Sequence, residues 1–96
     1  MSGGEWKAMF GAAVRGDTEL VRLYLDQGVD VDHIHPEFQE TTLVAAILAG
    51  QEAVAHLLLD HGADPNLLSQ ADQLTPTQAA RQVGMSAIQD RVGSSA

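Results

Sequence analysis

The sequence predicts an all-α solenoid, three stacked helix-turn-helix units with short hairpin-like fingers along one edge. A shift of 34 residues superimposes Gly16 on Gly50 and Gly84, Ala12 on Ala46 and Ala80, and Leu20 on Val54 and Ile88, so glycines and apolar positions keep one register. Between the first two units the match is denser and adds Leu23 with Leu57, Leu25 with Leu59, Asp26 with Asp60, Gly28 with Gly62 and Asp30 with Asp64. The helical segments are about nine residues each, shorter than the roughly 12 to 15 that are marginal alone in water, so stacking is the folding mechanism.

Each unit reads as helix, turn, helix, loop. The first helices, expected over residues 7–15, 41–49 and 75–83, are rich in alanine and stop at a glycine, where a left-handed residue closes a helix without a Cβ penalty. Asp17 caps the next helix, with Thr18 and Glu19 in its first turn, before Leu20, Val21, Leu23, Tyr24 and Leu25 supply a wide apolar stripe. Gly28 and Gly62 end the second helices. The third unit stops at Val92 and carries Gln89 and Arg91 at stripe positions, the polar outer face expected of a terminal unit. The single domain therefore divides into units at 5–38, 39–72 and 73–92, with flexible ends at 1–4 and 93–96. Trp6, Met9 and Phe10 leave the N-terminal face apolar, so the chain is expected as a monomer or a weak homodimer.

Composition bounds the function. With 96 residues and 10.2 kDa there is room for one domain. Five Lys plus Arg against thirteen Asp plus Glu give a formal charge of −8, which opposes nucleic-acid binding. The absence of cysteine excludes disulfides, thiolate metal sites and a Cys nucleophile, and fits a reducing compartment. The longest apolar run, residues 43–49, is far below the roughly 20 needed to cross a bilayer, and the N-terminus has no secretory pattern. A cytoplasmic chain without membrane contact is expected.

Four histidines raise the question of a metal. His33 and His35, among Asp30, Asp32 and Glu37, would point both rings to one side of an extended strand, but no third ligand is fixed by spacing. They read as solvated rings of an acidic finger. A calcium loop starting at Asp30 fails at His35, where glycine is needed, and at Thr41, where glutamate is needed. His56 reads as a surface pair with Asp60, and His61 sits in a last helical turn. No nucleophile elbow or phosphate-cradling glycine loop is present, so no catalytic residue, metal or cofactor is assigned and the chain reads as non-enzymatic.

These residues resemble the ankyrin-repeat family over almost the whole chain. The end of unit two, Leu58-Leu59-Asp60-His61-Gly62-Ala63-Asp64-Pro65-Asn66, matches the family ending Leu-Leu-x-x-Gly-Ala-Asp-x-Asn position by position. Unit one gives the looser Tyr24-Leu25-Asp26-Gln27-Gly28-Val29-Asp30-Val31-Asp32, and unit three keeps Thr75-Pro76, Ala79-Ala80 and Gly84. The family's opening Thr-Pro-Leu-His departs here, its histidine being replaced by Phe10, Val44 and Gln78. The loops at 32–41 and 66–75 are one residue longer than the family spacing, so irregular fingers are expected.

The resemblance implies protein binding through finger tips and the concave side of the first helices. On this chain those positions are Trp6, Val14 and Arg15 in unit one, Glu37, Phe38, Glu40, Leu48 and Ala49 in unit two, and Ala71, Asp72, Leu74, Gln82 and Val83 in unit three. Phe38, beside Pro36 in a polar loop, is the foremost contact, because aromatic anchors ringed by polar groups centre binding hot spots. Between Arg22 and Arg81 there is no Lys or Arg, while nine acidic residues lie there, five of them from Asp26 to Glu40. That charge suits a protein partner with a basic surface, or serves solubility. The expected function is a protein-interaction module; the alternative is an inhibitor or immunity-type protein that neutralises a toxin or enzyme.

Overall fold

The computed structural model describes the backbone of residues 3–93 and the side chains of 5–93. Six helices follow in order: α1 (Gly3–Arg15), α2 (Thr18–Asp26), α3 (Thr42–Leu48), α4 (Glu52–Asp60), α5 (Pro76–Val83) and α6 (Ser86–Gly93). Each odd helix packs on the even helix that follows it. The odd helices also stack on one another as an inner row, and the even ones as an outer row, giving a body of 32 × 26 × 22 Å. The expected all-α solenoid is the observed fold. Of the ends expected to be flexible, residues 1, 2 and 94–96 lie outside the described residues, while Gly3 and Gly4 belong to α1 and Gly93 to α6.

Local chemistry sets the helix limits. The Asp17 carboxylate accepts from Leu20 N–H at 3.2 Å, and the Thr41 hydroxyl accepts from Val44 N–H at 3.1 Å. Thr75 caps α5 reciprocally with Gln78, and Pro76 occupies the first turn, where no amide donor is needed. α1 starts four residues before the expected Lys7, with Glu5 in its first turn where a carboxylate suits the helix dipole. Gly16 has φ +85°, and a Cβ there would lie 2.5 Å from Gln51 Oε1. Glycine is required twice over, because the Gln51 side chain crosses to unit one and donates to Val14 O at 3.1 Å.

One core runs through all three units, from Met9 and Val21 through Val44, Ile47, Val54 and Leu58 to Ile88 and Val92. Register explains its ends. In the middle unit both flanks are buried: Val44, Ile47 and Ala55 on one side, Thr42, Ala45 and Leu57 on the other. Their unit-three equivalents on the first flank, Gln78 and Arg81, are exposed, and Gln89 is half-buried. Their unit-one equivalents on the second flank, Ala8 and Gly11, are half-buried and Leu23 is 51% exposed. The third unit thus replaces the apolar residues of the first flank by polar ones, while the first unit has smaller residues on the second flank and leaves Leu23 largely uncovered.

The two fingers share a glutamine turn. Gln39 and Gln73 hold left-handed backbones at φ 56° and 55°, and their side-chain amides donate to Pro36 O and Gln70 O, each at 2.7 Å. The second finger closes with an antiparallel bridge between Ser69 and Leu74. Ala71 N–H donates to Gln39 O at 2.9 Å and Thr41 N–H to Ser69 Oγ at 3.1 Å, joining the two finger loops, while Asp64 N–H donates to the Asp32 carboxylate at 3.0 and 3.2 Å, joining the second unit to the first.

Candidate partner-binding surface

The first finger folds back across α1. Trp6 is the hub of this contact, with ring centroids of Phe10 at 5.0 Å and of His33, His35 and Phe38 at 5.6 Å each. Aromatic rings at such separations, tilted, edge-on or offset, attract beyond their burial. Trp6 is only 2% exposed, so it is a core residue and cannot be a contact as the sequence suggested. The finger covers it. His33 and His35 are half-buried against it instead of being solvated rings. Their centroids are 6.5 Å apart, and among the described residues no group of three or more His, Cys, Asp or Glu could hold a metal ion.

Phe38 stays 37% exposed while its ring touches Phe10 at 5.9 Å and His35 at 5.0 Å. The Lys7 ammonium lies over the same ring, 5.7 Å from its centroid, a cation–π contact that the sequence spacing did not reveal. A partner would therefore meet a pre-positioned aromatic edge. Glu37 and Gln39 beside it are exposed.

The other expected contacts divide by burial. Val14 at 37% and Val83 at 40% are exposed in the last turns of α1 and α5, with Arg15 and Gln82 also exposed beside them. Leu48, in the last turn of α3 between those helices, packs partly on the core and is followed by exposed Ala49. Leu74 is drawn into the finger bridge and also packs on the core, so both leucines give a partner less area than the sequence suggested. At the second finger Ala71 is exposed and Asp72 half-buried. These residues form two bands, the inner-helix ends and the paired finger tips.

Electrostatics differ between the two faces. Burial, aided by repulsion from Asp72 in the neighbouring finger, pushes the Glu40 carboxyl above its ordinary range. Burial likewise raises Asp32; the Asp64 amide works against this, and the charges of Asp64 and Asp30 reinforce it. The outer helices instead pair a cation with a carboxylate, flanked by two histidines. Arg91 donates to Asp60 at 2.6 Å, and its hydrogen bond holds that carboxyl below the usual range. Arg91 also lies 3.0 Å from His56 Nδ1, while His56 Nε2 is 3.6 Å from Glu52. The expected His56 pair with Asp60 is thus replaced by Arg91, which reaches back to the preceding unit rather than forming an outer polar face. His61 joins the same outer row, 3.5 Å from Asp26.

Among the described residues no helix is long and apolar enough to cross a membrane. A family model for ankyrin repeats, in three copies, matches residues 3–88. A cyclin-dependent kinase 4 inhibitor B of Bos taurus is 36% identical over 85 residues, 88% of this chain and 63% of that protein. The Homo sapiens protein of the same name is 33% identical over 82 residues, 85% of this chain and 58% of that protein. A putative ankyrin repeat protein of Acanthamoeba polyphaga mimivirus is 44% identical over 50 residues, 52% of this chain and 30% of that protein. The chain thus spans less than two thirds of the length of these relatives. Three helix pairs in one register, paired fingers and a family match over most of the length lead to one conclusion: the chain belongs to the ankyrin-repeat family.

Proposed function

We propose that the chain docks another protein through the concave ends of its inner helices and its two fingers, and that the partner presents a basic surface. Ankyrin repeats mediate protein–protein interaction. The observation that carries the finer reading is Phe38, an exposed aromatic edge on a finger that also bears Glu37 and Glu40 and lies beside Asp72. An exposed aromatic anchor on an acidic finger favours a basic partner and steers its approach, and the cation on that ring, Lys7, comes from α1. Val14 and Val83 extend the contact along the inner-helix ends.

A second reading is inhibition of an enzyme. It is favoured by relatives whose name states inhibition of cyclin-dependent kinase 4. Sub-nanomolar affinity and loss of the partner's activity on binding separate an inhibitor from an adaptor of micromolar affinity.

Affinity capture from the source cell, followed by titration of the captured protein, tests the docking surface. Phe38→Ala and Val83→Asp should each weaken binding about tenfold or more with helicity unchanged by circular dichroism. Equal affinity for wild type and both variants would remove this surface. Rising salt should slow association; an unchanged on-rate would leave the acidic face to solubility alone.

A further inference from the structure

Three consecutive amides of the first finger converge on one residue. The His35 carbonyl accepts from Phe38 N–H at 3.1 Å and Gln39 N–H at 2.9 Å, and the His35 ring atom Nδ1 accepts from Glu37 N–H at 3.2 Å. Pro36 has no amide, so Glu37 is the first donor available to the tip. The bond to Nδ1 needs a ring lone pair, which places the proton of the neutral imidazole on Nε2. The same ring stacks on Trp6 at 23° and contacts Phe38. One residue thus orders the tip through its carbonyl and its ring, and the ring also seats the tip on α1.

Elsewhere this turn geometry is made by carboxylates. Asp30 accepts from Asp32 N–H at 3.0 Å, and Asp64 accepts from Asn66 N–H at 2.9 Å, each two residues on. A carboxylate keeps an acceptor oxygen even when protonated, whereas an imidazolium has none. Histidine is also the side chain whose charge changes between about pH 5 and 8.

We propose that His35 is a proton-gated positioning residue for the first finger: neutral, its ring holds the Glu37 amide beside the two amides held by its carbonyl; protonated, it releases Glu37 and loosens the tip that carries Phe38. Rotating the ring does not restore the bond, because both nitrogens then carry protons. The titratable and charged groups that meet it are His33, whose ring lies 6.5 Å away, Glu37, whose amide it holds, and, through the Phe38 ring they share, Lys7 of α1. The Trp6 face accepts a cation, so the ring keeps its seat and the amide contact is what gives way. The inference does not depend on any partner, and its failure would leave the docking surface untouched.

Amide-resolved NMR between about pH 8 and pH 5 tests it. The Glu37 amide resonance should follow the His35 ring titration, and its solvent exchange, corrected for intrinsic pH dependence, should rise about tenfold on protonation. His35→Asn retains a non-titrating acceptor in the turn, so its Glu37 amide should be flat across the range. His33→Asn should leave the wild-type step in place. A Glu37 amide that ignores the His35 titration in the wild-type protein overturns the proposal without recourse to a variant. The same step in H35N, or its loss in H33N, overturns it as well.

Discussion

Thr41 N–H donates to the Ser69 hydroxyl at 3.1 Å across 28 residues of sequence, and that hydroxyl donates in turn to the Asp72 carboxylate at 2.9 Å. Both Thr41 and Ser69 are buried. The relay joins the start of α3 to the second finger, so the two ends of the second unit are tied together at the edge. In unit three the equivalent amide, Thr75 N–H, is closed instead by the Gln78 side chain at 2.9 Å. Ser69→Ala leaves the Thr41 amide buried without that acceptor and should cost about 1 to 3 kcal/mol in urea unfolding. A loss near zero would mean that water replaces the hydroxyl.

The core prediction compares two leucines in one register. Leu57→Ala removes a 6% exposed side chain between units and should cost about 2 to 5 kcal/mol, enough to unfold a domain whose total is about 5 to 15. Leu23→Ala, at 51% exposure, should cost under about 1 kcal/mol. Parallel denaturation curves read the difference, and equal losses would contradict the assignment of Leu23 to an uncovered flank.

Glu40 sets a pH dependence. Its carboxyl is raised in the fold, so the folded chain binds this proton more tightly than the unfolded chain. The group's contribution to stability therefore grows as pH falls through the interval between its unfolded value and its raised folded value, and it declines as pH rises through the same interval. Asp32 acts with the same sign, and Asp60, held low by Arg91, with the opposite sign at lower pH. Glu40→Gln should raise the melting temperature at pH 7 by an amount corresponding to a few tenths of a kcal/mol, the group being largely solvated, and this gain should vanish once carboxylates are protonated. Melting curves at both pH values decide it.

Arg91 is the tether of the last helix. Arg91→Ala should lower the melting temperature and speed amide exchange in α6 before α4. High salt should reproduce part of this effect in the wild-type protein and little of it in the variant. Uniform destabilisation of both helices would assign Arg91 to global packing.

Gln39 and Gln73 give a backbone test. A β-branched residue is poorly suited to a left-handed position, so Gln73→Val should cost about 1 to 2 kcal/mol more than Gln73→Gly in chemical denaturation. The same order is expected at Gln39.

Periodicity made the solenoid legible because Gly16, Gly50 and Gly84 end helices for a local reason, and local reasons repeat with the unit. The Asp17 cap was legible for the same reason. The position of Trp6 was not. The family resemblance set it with Glu40 and Leu74 among the contact positions, yet the finger from His33 to Phe38 returns over it through contacts about 30 residues away in sequence. Arg91 was misread similarly, since its partners Asp60 and His56 lie one unit back. Pairing across units depends on how helices stack in space, and a one-dimensional register carries only the positions and not the partners.

The two apolar flanks of the middle unit have a consequence for how such a chain lengthens. Val44, Ile47 and Ala55 on one side fit the kind of surface made by Thr42, Ala45 and Leu57 on the other, whereas at those positions the third unit carries Gln78, Arg81 and Gln89 and the first carries Ala8, Gly11 and the exposed Leu23. A tandem duplication of the middle unit would set compatible surfaces together and leave both specialised ends where they are. Growth by insertion at the centre is therefore open to this sequence, and growth by copying the third unit, which would bury Gln78 and Arg81, is not.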